Sequence, residues 1–317
     1  MGIKNKAMKV APSVYARIKR VYWNHLIARH RAMTESQAVQ EIDRLYFQRM
    51  GHSVDLNNPQ RYTEKIQWAK LHAMTPLKSK LADKYAVRSW VSEKIGAQYL
   101  IPLLGVWDTA DDIDFNALPN SFVLKTNHAS GTNIIVPDKS KFNEIHSIAQ
   151  LNRWLKFEVG WVFFEGQYLR IKPKVIAEQF MHNPDGSEIN DYKFICFDGK
   201  VKFIRVDLGR HGDHRRVTFD TQWNVLPWVE GDYQRPGILP KRPDRLGELI
   251  SLVEILAEGF PCVRVDFYII DGRFYFGEMT FTSAAGYERI IPDEYDFVLG
   301  DMWDLSKEDR AELYGRD

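Results

Sequence analysis

Cysteine is scarce: Cys196 and Cys262 are the only two in 317 residues. That excludes a disulfide framework and a cysteine-built zinc site, and it fits a reducing, cytosolic compartment. No apolar run approaches the ~18 residues that a membrane span requires. The first residues also lack the apolar stretch of a signal peptide. Net charge is nearly nil, with 43 Lys and Arg against 42 Asp and Glu, so no global charge draws the chain to nucleic acid. Internal repeats and low-complexity linkers are missing. With 44% hydrophobic and 27% charged residues the chain is not disordered, and its length supports one large domain or two modest ones.

One local asymmetry hides in the balance. Between Met1 and Thr34 stand Lys4, Lys6, Lys9, Arg17, Lys19, Arg20, Arg29 and Arg31, and no acidic residue. Val14, Ile18, Val21, Tyr22 and Leu26 recur there at helical spacing, which predicts a basic amphipathic helix. Two readings compete: a helix packed on the body with a solvated basic face, or a surface that touches anionic lipid or an anionic polymer.

Helical periodicity continues from Thr34 to about Gly96, through Ala38, Val39, Ile42, Leu45 and Tyr46 and again through Leu81, Tyr85, Val87, Trp90 and Val91. Asn57, Asn58 and Pro59 break the chain between them. Short β-rich runs follow: 99–106, 122–125, 133–136, 175–180, 192–197, 201–206, 263–270 and 274–279, with helical stretches at 147–157 and 245–258. Asp198-Gly199 and Asp271-Gly272 each sit between two such runs, a hairpin signal. Antiparallel strands with helices between them predict an α+β fold.

Three clusters carry chemistry. In Phe122–Val136 an apolar strand delivers Lys125 to a short loop with Asn127, Ser130, Gly131 and Thr132. An ammonium beside a closable loop suits phosphate oxygens, although an ordinary hairpin with an edge lysine has the same look. In the second, Val175–Phe180 followed by Asp191–Phe197, Glu178 with the backbone of Gln179 and Phe180 offers donors and acceptors for an adenine edge. Asp191 suits ribose hydroxyls and Lys193 a phosphate, against the plainer reading of strand-end surface acids.

The third is Val263–Thr280. Register decides whether Asp266 and Glu278 share a face. A two-residue Asp271-Gly272 turn separates them, whereas a three-residue Ile270-Asp271-Gly272 turn places Arg264 opposite Glu278 with Asp266 diagonally adjacent. Two carboxylates there invite Mg²⁺ carrying a triphosphate, and a surface salt bridge is the competing reading. His211, His214, Arg215 and Arg216 read as an anion-binding loop or a solvated basic one. The histidine pair has no companion ligands for zinc.

In this order the lysine strand, the Ala177-Glu178-Gln179-Phe180 hinge and the Arg264-x-Asp266…Glu278 hairpin resemble the ATP-grasp superfamily. Stretches 62–68, 81–88, 99–107, 122–132, 191–200 and 263–286 are similar to the TupA-like ATP-grasp family of bacterial surface-polysaccharide loci. The resemblance implies two α+β subdomains that clasp ATP between antiparallel sheets. It divides the chain into a basic helical arm (1–56), a helical pre-grasp region (57–118), a small lid (119–177) and a large subdomain (178–317). It implies an ATP- and Mg²⁺-dependent carboxylate–amine ligase, acting through an acylphosphate on a uronic acid of a capsule or O-antigen with an amino acid or other amine. Under it Lys125, Ser130, Gly131 and Thr132 hold phosphates. Glu178, Gln179 and Phe180 hold adenine, and Asp191 the ribose. Asp266, Glu278 and Thr280 hold the metal, with Thr280 standing where many members have Asn. Arg264 sits near the transferred phosphoryl and acyl groups, and Lys193 (placed to reach phosphate) and Arg216 (from the anion-binding loop) join it as candidate catalytic residues. A sugar kinase is the alternative, and a glycosyltransferase ranks below it for want of an Asp-x-Asp. The expected location is cytoplasmic or peripheral at the inner membrane face, with residues 1–31 as the contact.

Overall fold

The computed structural model describes residues 12–209 and 212–314. Lys4, Lys6, Lys9 and His211 lie outside them, as do the side chains of Val14, Arg17 and Arg20. Helix α1 (Pro12–Arg31) is followed by a capping box, in which the Gln37 amide donates to Thr34 Oγ1 and the Thr34 amide to Gln37 Oε1, starting α2 (Glu35–Met50). Ala38, Ile42 and Tyr46, four residues apart, are fully buried along α2, as the periodicity predicts.

α1 departs from expectation. Its periodic apolar residues Ile18, Val21 and Tyr22 are exposed, whereas Ile27 and His30 are buried. Nine residues separate Ile18 from Ile27, which puts them on opposite sides of the helix. The stripe that periodicity detects therefore faces away from the body.

Helices α3 (Tyr62–His72), α4 (Pro76–Ala82) and α5 (Val87–Lys94) follow. The apolar repeat through Leu81 and Val91 is not one helix. Asp83 Oδ1 accepts from the Tyr85 and Ala86 amides at 2.8 and 3.2 Å, which breaks the chain and restarts it as α5. Lys84 stands in the break.

Strands β1 (Leu103–Trp107), β2 (Phe122–Thr126), β3 (Asn133–Val136) and, after α6 (Glu144–Leu155), β4 (Val175–Gln179) form an antiparallel sheet in the order β1-β4-β2-β3. Leu151 of α6 packs there with Phe122, Leu124, Val175 and Ala177. β1 lies before residue 119, where the lid was expected to begin, yet it completes this sheet by pairing with β4.

Next come β5 (Asp191–Phe197), β6 (Lys200–Leu208), β7 (Arg215–Phe219), the short β8 (Val229–Glu230), α7 (Leu246–Ala257), β9 (Cys262–Ile270), β10 (Arg273–Thr280), the short β11 (Ile290–Ile291) and α8 (Glu294–Asp301). The larger antiparallel sheet has the order β10-β9-β5-β6-β7, and β8 pairs with β11. Leu249, Val253 and Leu256 of α7 share a core with Phe194, Ile204, Val263, Val265 and Phe267. Both cysteines are buried and free of any disulfide. The fold is α+β, as the strand pattern predicts.

The β9–β10 hairpin corrects the register reading. Its turn has two residues, Asp271 (φ +49°) and Gly272 (φ +69°), with Arg273 paired to Ile270. A bulge between Phe276 and Glu278 then shifts the ladder by one, so that Asp266 faces Glu278 directly and Arg264 faces Thr280. The two acids share a face because of Gly277, not because of a longer turn. A Cβ at Gly277 would lie 3.2 Å from the Asp266 carbonyl oxygen and 3.3 Å from the Tyr268 ring. Gly277→Val is therefore expected to disturb the bulge, lowering thermal stability by about 1–3 kcal/mol and weakening nucleotide binding, as read by calorimetry.

In-register neighbours share a sheet face. Glu278, Asp266, Lys193 and Arg205 thus form one charged row across four strands, and Asp191, Asp207 and Arg216 form the next. α7 covers the opposite, apolar face.

Candidate nucleotide and metal site

On the small sheet, Lys125 Nζ lies 2.5 Å from Glu178 Oε2, and Arg88 Nη1 lies 3.3 Å from Glu178 Oε1. Arg88 also donates to the Ile101 carbonyl at 2.9 Å. One buried carboxylate thus holds two cations. The loop after β2 exposes Ser130 and Gly131, the latter at φ +71° with open space around it. Thr132 is instead buried. Its hydroxyl lies 2.7 Å from Thr126 Oγ1 and 3.3 Å from the Ala129 carbonyl, so it braces the loop from inside.

Asn127 anchors the loop base, donating to Asp83 Oδ1 and the Lys172 carbonyl and accepting from the Lys174 amide. His128 meets the Phe157 carbonyl at 3.2 Å, and burial pushes its imidazole below the ordinary histidine range. The Gln179 amide, expected to meet adenine, is already bonded to the Pro102 carbonyl at 3.0 Å. Phe180 is half-buried, its ring 6.2 Å from that of His182.

On the large sheet the acids converge. Arg264 donates from Nε to Asp266 Oδ1 (2.7 Å) and from Nη2 to both Asp266 Oδ2 (3.0 Å) and Glu278 Oε1 (2.6 Å). Its Nη1 reaches Ser283 Oγ at 3.1 Å. Lys193 Nζ sits 2.7 Å from Asp266 Oδ2 and 3.7 Å from Asp191 Oδ2. Thr280 donates to Glu278 Oε1 at 3.2 Å, so its hydroxyl orients a carboxylate. Burial pushes the Glu278 carboxyl up, but Arg264, Lys84 and Lys193 outweigh it and hold the group down at about 2. Burial likewise opposes the charge on Arg264, yet Asp266 and Glu278 raise its affinity for the proton above the ordinary arginine value.

Lys84 is fixed on the small-sheet loop. Its Nζ donates to the Ala129 carbonyl of the small-sheet loop at 2.8 Å. Burial pushes its ammonium below the ordinary lysine value, Glu278 of the large sheet pulls it back up, and Lys125 repels it. Lys84 and Arg88 are not singled out by the sequence, whereas Asn127 belongs to the loop read there beside Lys125. Lys84 and Arg88 lie in the stretch 81–88 that carries the family resemblance, and that was their only signal.

A family model for TupA-like ATP-grasp proteins matches residues 64–304. The chain belongs to the TupA-like ATP-grasp family. No curated protein sequence matches it. Among solved structures it is similar to D-alanine–D-alanine ligase from Bacillus anthracis complexed with ATP, at 17% identity over 74% of this chain and 66% of that one, with a TM-score of 0.41. It is also similar to an L-amino acid ligase from Bacillus licheniformis, at 14% identity over 75% of this chain and 50% of that one, with a TM-score of 0.42. The chain thus spans between half and two thirds of those proteins' lengths.

ATP and Mg²⁺ are the cofactors of an ATP-grasp family, and the residues present fit them. Asp266 and Glu278 aim oxygens at one nitrogen of Arg264, so the two acids define a common cation locus. Mg²⁺ prefers hard oxygen donors and needs only one or two carboxylates when phosphates and water complete its shell. Among the described residues no group of three or more His, Cys, Asp or Glu is placed to hold a metal ion by itself.

Arg216 of this TupA-like protein stands further along the charged face. It binds Asp207 (2.7 Å) and Glu288 (2.8 Å) and stacks over Tyr233 at 3.9 Å. Arg205 pairs with Glu230 beside it. Arg216 is therefore a buried member of an ion network, rather than part of the solvated loop that was the plainer reading.

Proposed function

We propose that the chain is an ATP- and Mg²⁺-dependent carboxylate–amine ligase. The observation that carries this reading is the direct pairing of Asp266 with Glu278 around Arg264, with Lys84 held at the phosphate-loop base by the Ala129 carbonyl. Asp266 and Glu278 would hold Mg²⁺, which supplies charge neutralisation for the polyphosphate. Lys125, Lys84 and the Ser130–Gly131 loop tip bind phosphate oxygens, and Asp191 the ribose. The hinge at Glu178–Phe180 lies along adenine, with the Gln179 carbonyl as the acceptor.

A substrate carboxylate oxygen attacks the γ-phosphorus and ADP leaves. The amine then attacks the acyl carbon, inorganic phosphate leaves, and the amine proton is lost to solvent. Arg264 and Lys193 stabilise the charge that develops on the transferred group, and Arg216 helps to orient the acid. The small sheet acts as lid over the large one, with the pre-grasp helices 57–118 supplying Lys84 and Arg88. The acid is a uronic acid of a capsule or O-antigen glycan and the amine an amino acid, a proposal resting on the resemblance to surface-polysaccharide loci. Among the described residues no helix is long and apolar enough to cross a membrane. We place the protein in the cytoplasm, with residues 1–31 touching an anionic surface.

Incubation with ATP, Mg²⁺, uronic acids and an amino-acid pool tests the reading. ADP and phosphate appearing only when acid and amine are both present supports ligation, while a phosphorylated sugar formed without amine makes the protein a kinase. Lys84→Met is expected to raise the KM for ATP about tenfold, a loss equal to one charge-assisted contact, with Lys84→Arg retaining most of the binding.

A further inference from the structure

The outer face of α1 has no role in the cleft. Ile18, Val21 and Tyr22 are 63%, 61% and 58% exposed, three large apolar side chains on one helical face. The opposite side is fixed to the body. Trp23 meets Phe157 edge-on at 6.5 Å, Ile27 is buried, and a ring nitrogen of buried His30 lies 2.8 Å from the Trp161 carbonyl. Arg29 and Arg31 are engaged by Glu41 (2.5 Å) and Glu158 (2.8 Å). The apolar stripe is therefore held outward by a rigid mounting, and exposed Lys19 flanks it.

We propose that α1 lies flat on an anionic lipid bilayer, its Ile18–Val21–Tyr22 stripe entering the headgroup boundary and its basic flanks meeting lipid phosphates. Charge complementarity selects this occupant. In sequence Lys4, Lys6, Lys9 and Arg17 precede the stripe and Lys19 lies between its members, and no acidic residue occurs before Glu35. A second copy on this face would bring two such segments together, which repulsion opposes. An uncharged partner would leave the cations unused. Apolar insertion combined with attraction to anionic headgroups is the recognised mode of helices that lie in the interface plane. The inference deepens the surface contact proposed above and does not depend on the ligase chemistry.

The test is sedimentation of the full chain with vesicles of phosphatidylcholine, alone or with about one third phosphatidylglycerol. The protein is expected to pellet with the anionic vesicles, to stay in solution with the neutral ones, and to be released by added salt. The double variant Ile18→Glu, Val21→Glu is expected to lower vesicle partitioning at least about tenfold with an unchanged thermal melt, both positions being exposed. Failure to pellet with anionic vesicles overturns the proposal, as does pelleting that the variant leaves intact. Two further results overturn it and reassign the face. One is a concentration-dependent dimer that the variant dissolves, and the other is binding to soluble polygalacturonate in preference to vesicles.

Discussion

Glu278→Gln is expected to lower ATP consumption by two to three orders of magnitude while leaving the fold intact, the scale of losing one preorganised charge contact in a reacting site. The side chain is 37% exposed, so the amide meets water as well as Arg264, and the stability lost with the Arg264 ion pair is reduced by solvent screening. Asp266→Asn is expected to be as inactive but also less stable. Its carboxylate is buried between Arg264 and Lys193, each of which would lose its most direct anionic partner while keeping Glu278 or Asp191 nearby. The pair of variants separates two effects by steady-state turnover and by urea unfolding. Retained turnover in both would remove the metal site from these residues.

Arg264→Met is expected to cost about 3–5 kcal/mol of unfolding free energy at neutral pH, the usual penalty for stripping one partner from a buried ion cluster. The guanidinium makes four hydrogen bonds, to Asp266, Glu278 and Ser283, at 9% side-chain exposure. The penalty should depend on pH in a defined direction. In the native protein Glu278 titrates at about 2 rather than at its ordinary 4.5. The folded state therefore favours the ionised form, and that stabilisation is present above 4.5 and lost as pH falls through 2. Without Arg264 the largest attraction opposing burial is gone. The gap between native protein and variant is thus expected to narrow as pH drops from 4.5 toward 2. Urea titrations across that range check this, and a gap that stays constant would mean that the Arg264–Glu278 pair is not its source.

Much of the cleft was legible because strand chemistry is periodic. Alternation along 263–270 put Arg264 and Asp266 on one face, and the Asp-Gly pairs located both hairpins. What escaped was phase. Helical spacing in α1 revealed an apolar stripe but not which side met the body, since Ile27 and His30 offered a second face half a turn away. The bulge at Gly277 was hidden for a similar reason: one glycine shifts a whole ladder by one residue, and its sequence looks like that of an ordinary strand glycine. Lys84 was masked by the apolar repeat around it, which reads as continuous helix until Asp83 captures the amides of Tyr85 and Ala86.

With the proposed metal site, the charged row on the large sheet would work as an ion exchanger. Arg264 and Lys193 already neutralise Asp266 and Glu278, so a bare divalent cation must evict a guanidinium to enter, stranding positive charge in a poorly hydrated place. A cation arriving with polyphosphate brings the anions that the displaced Arg264 and Lys193 then take up. If Asp266 and Glu278 hold the metal as proposed, metal and nucleotide would load together, and magnesium alone is expected to adhere far more weakly than the magnesium–nucleotide complex.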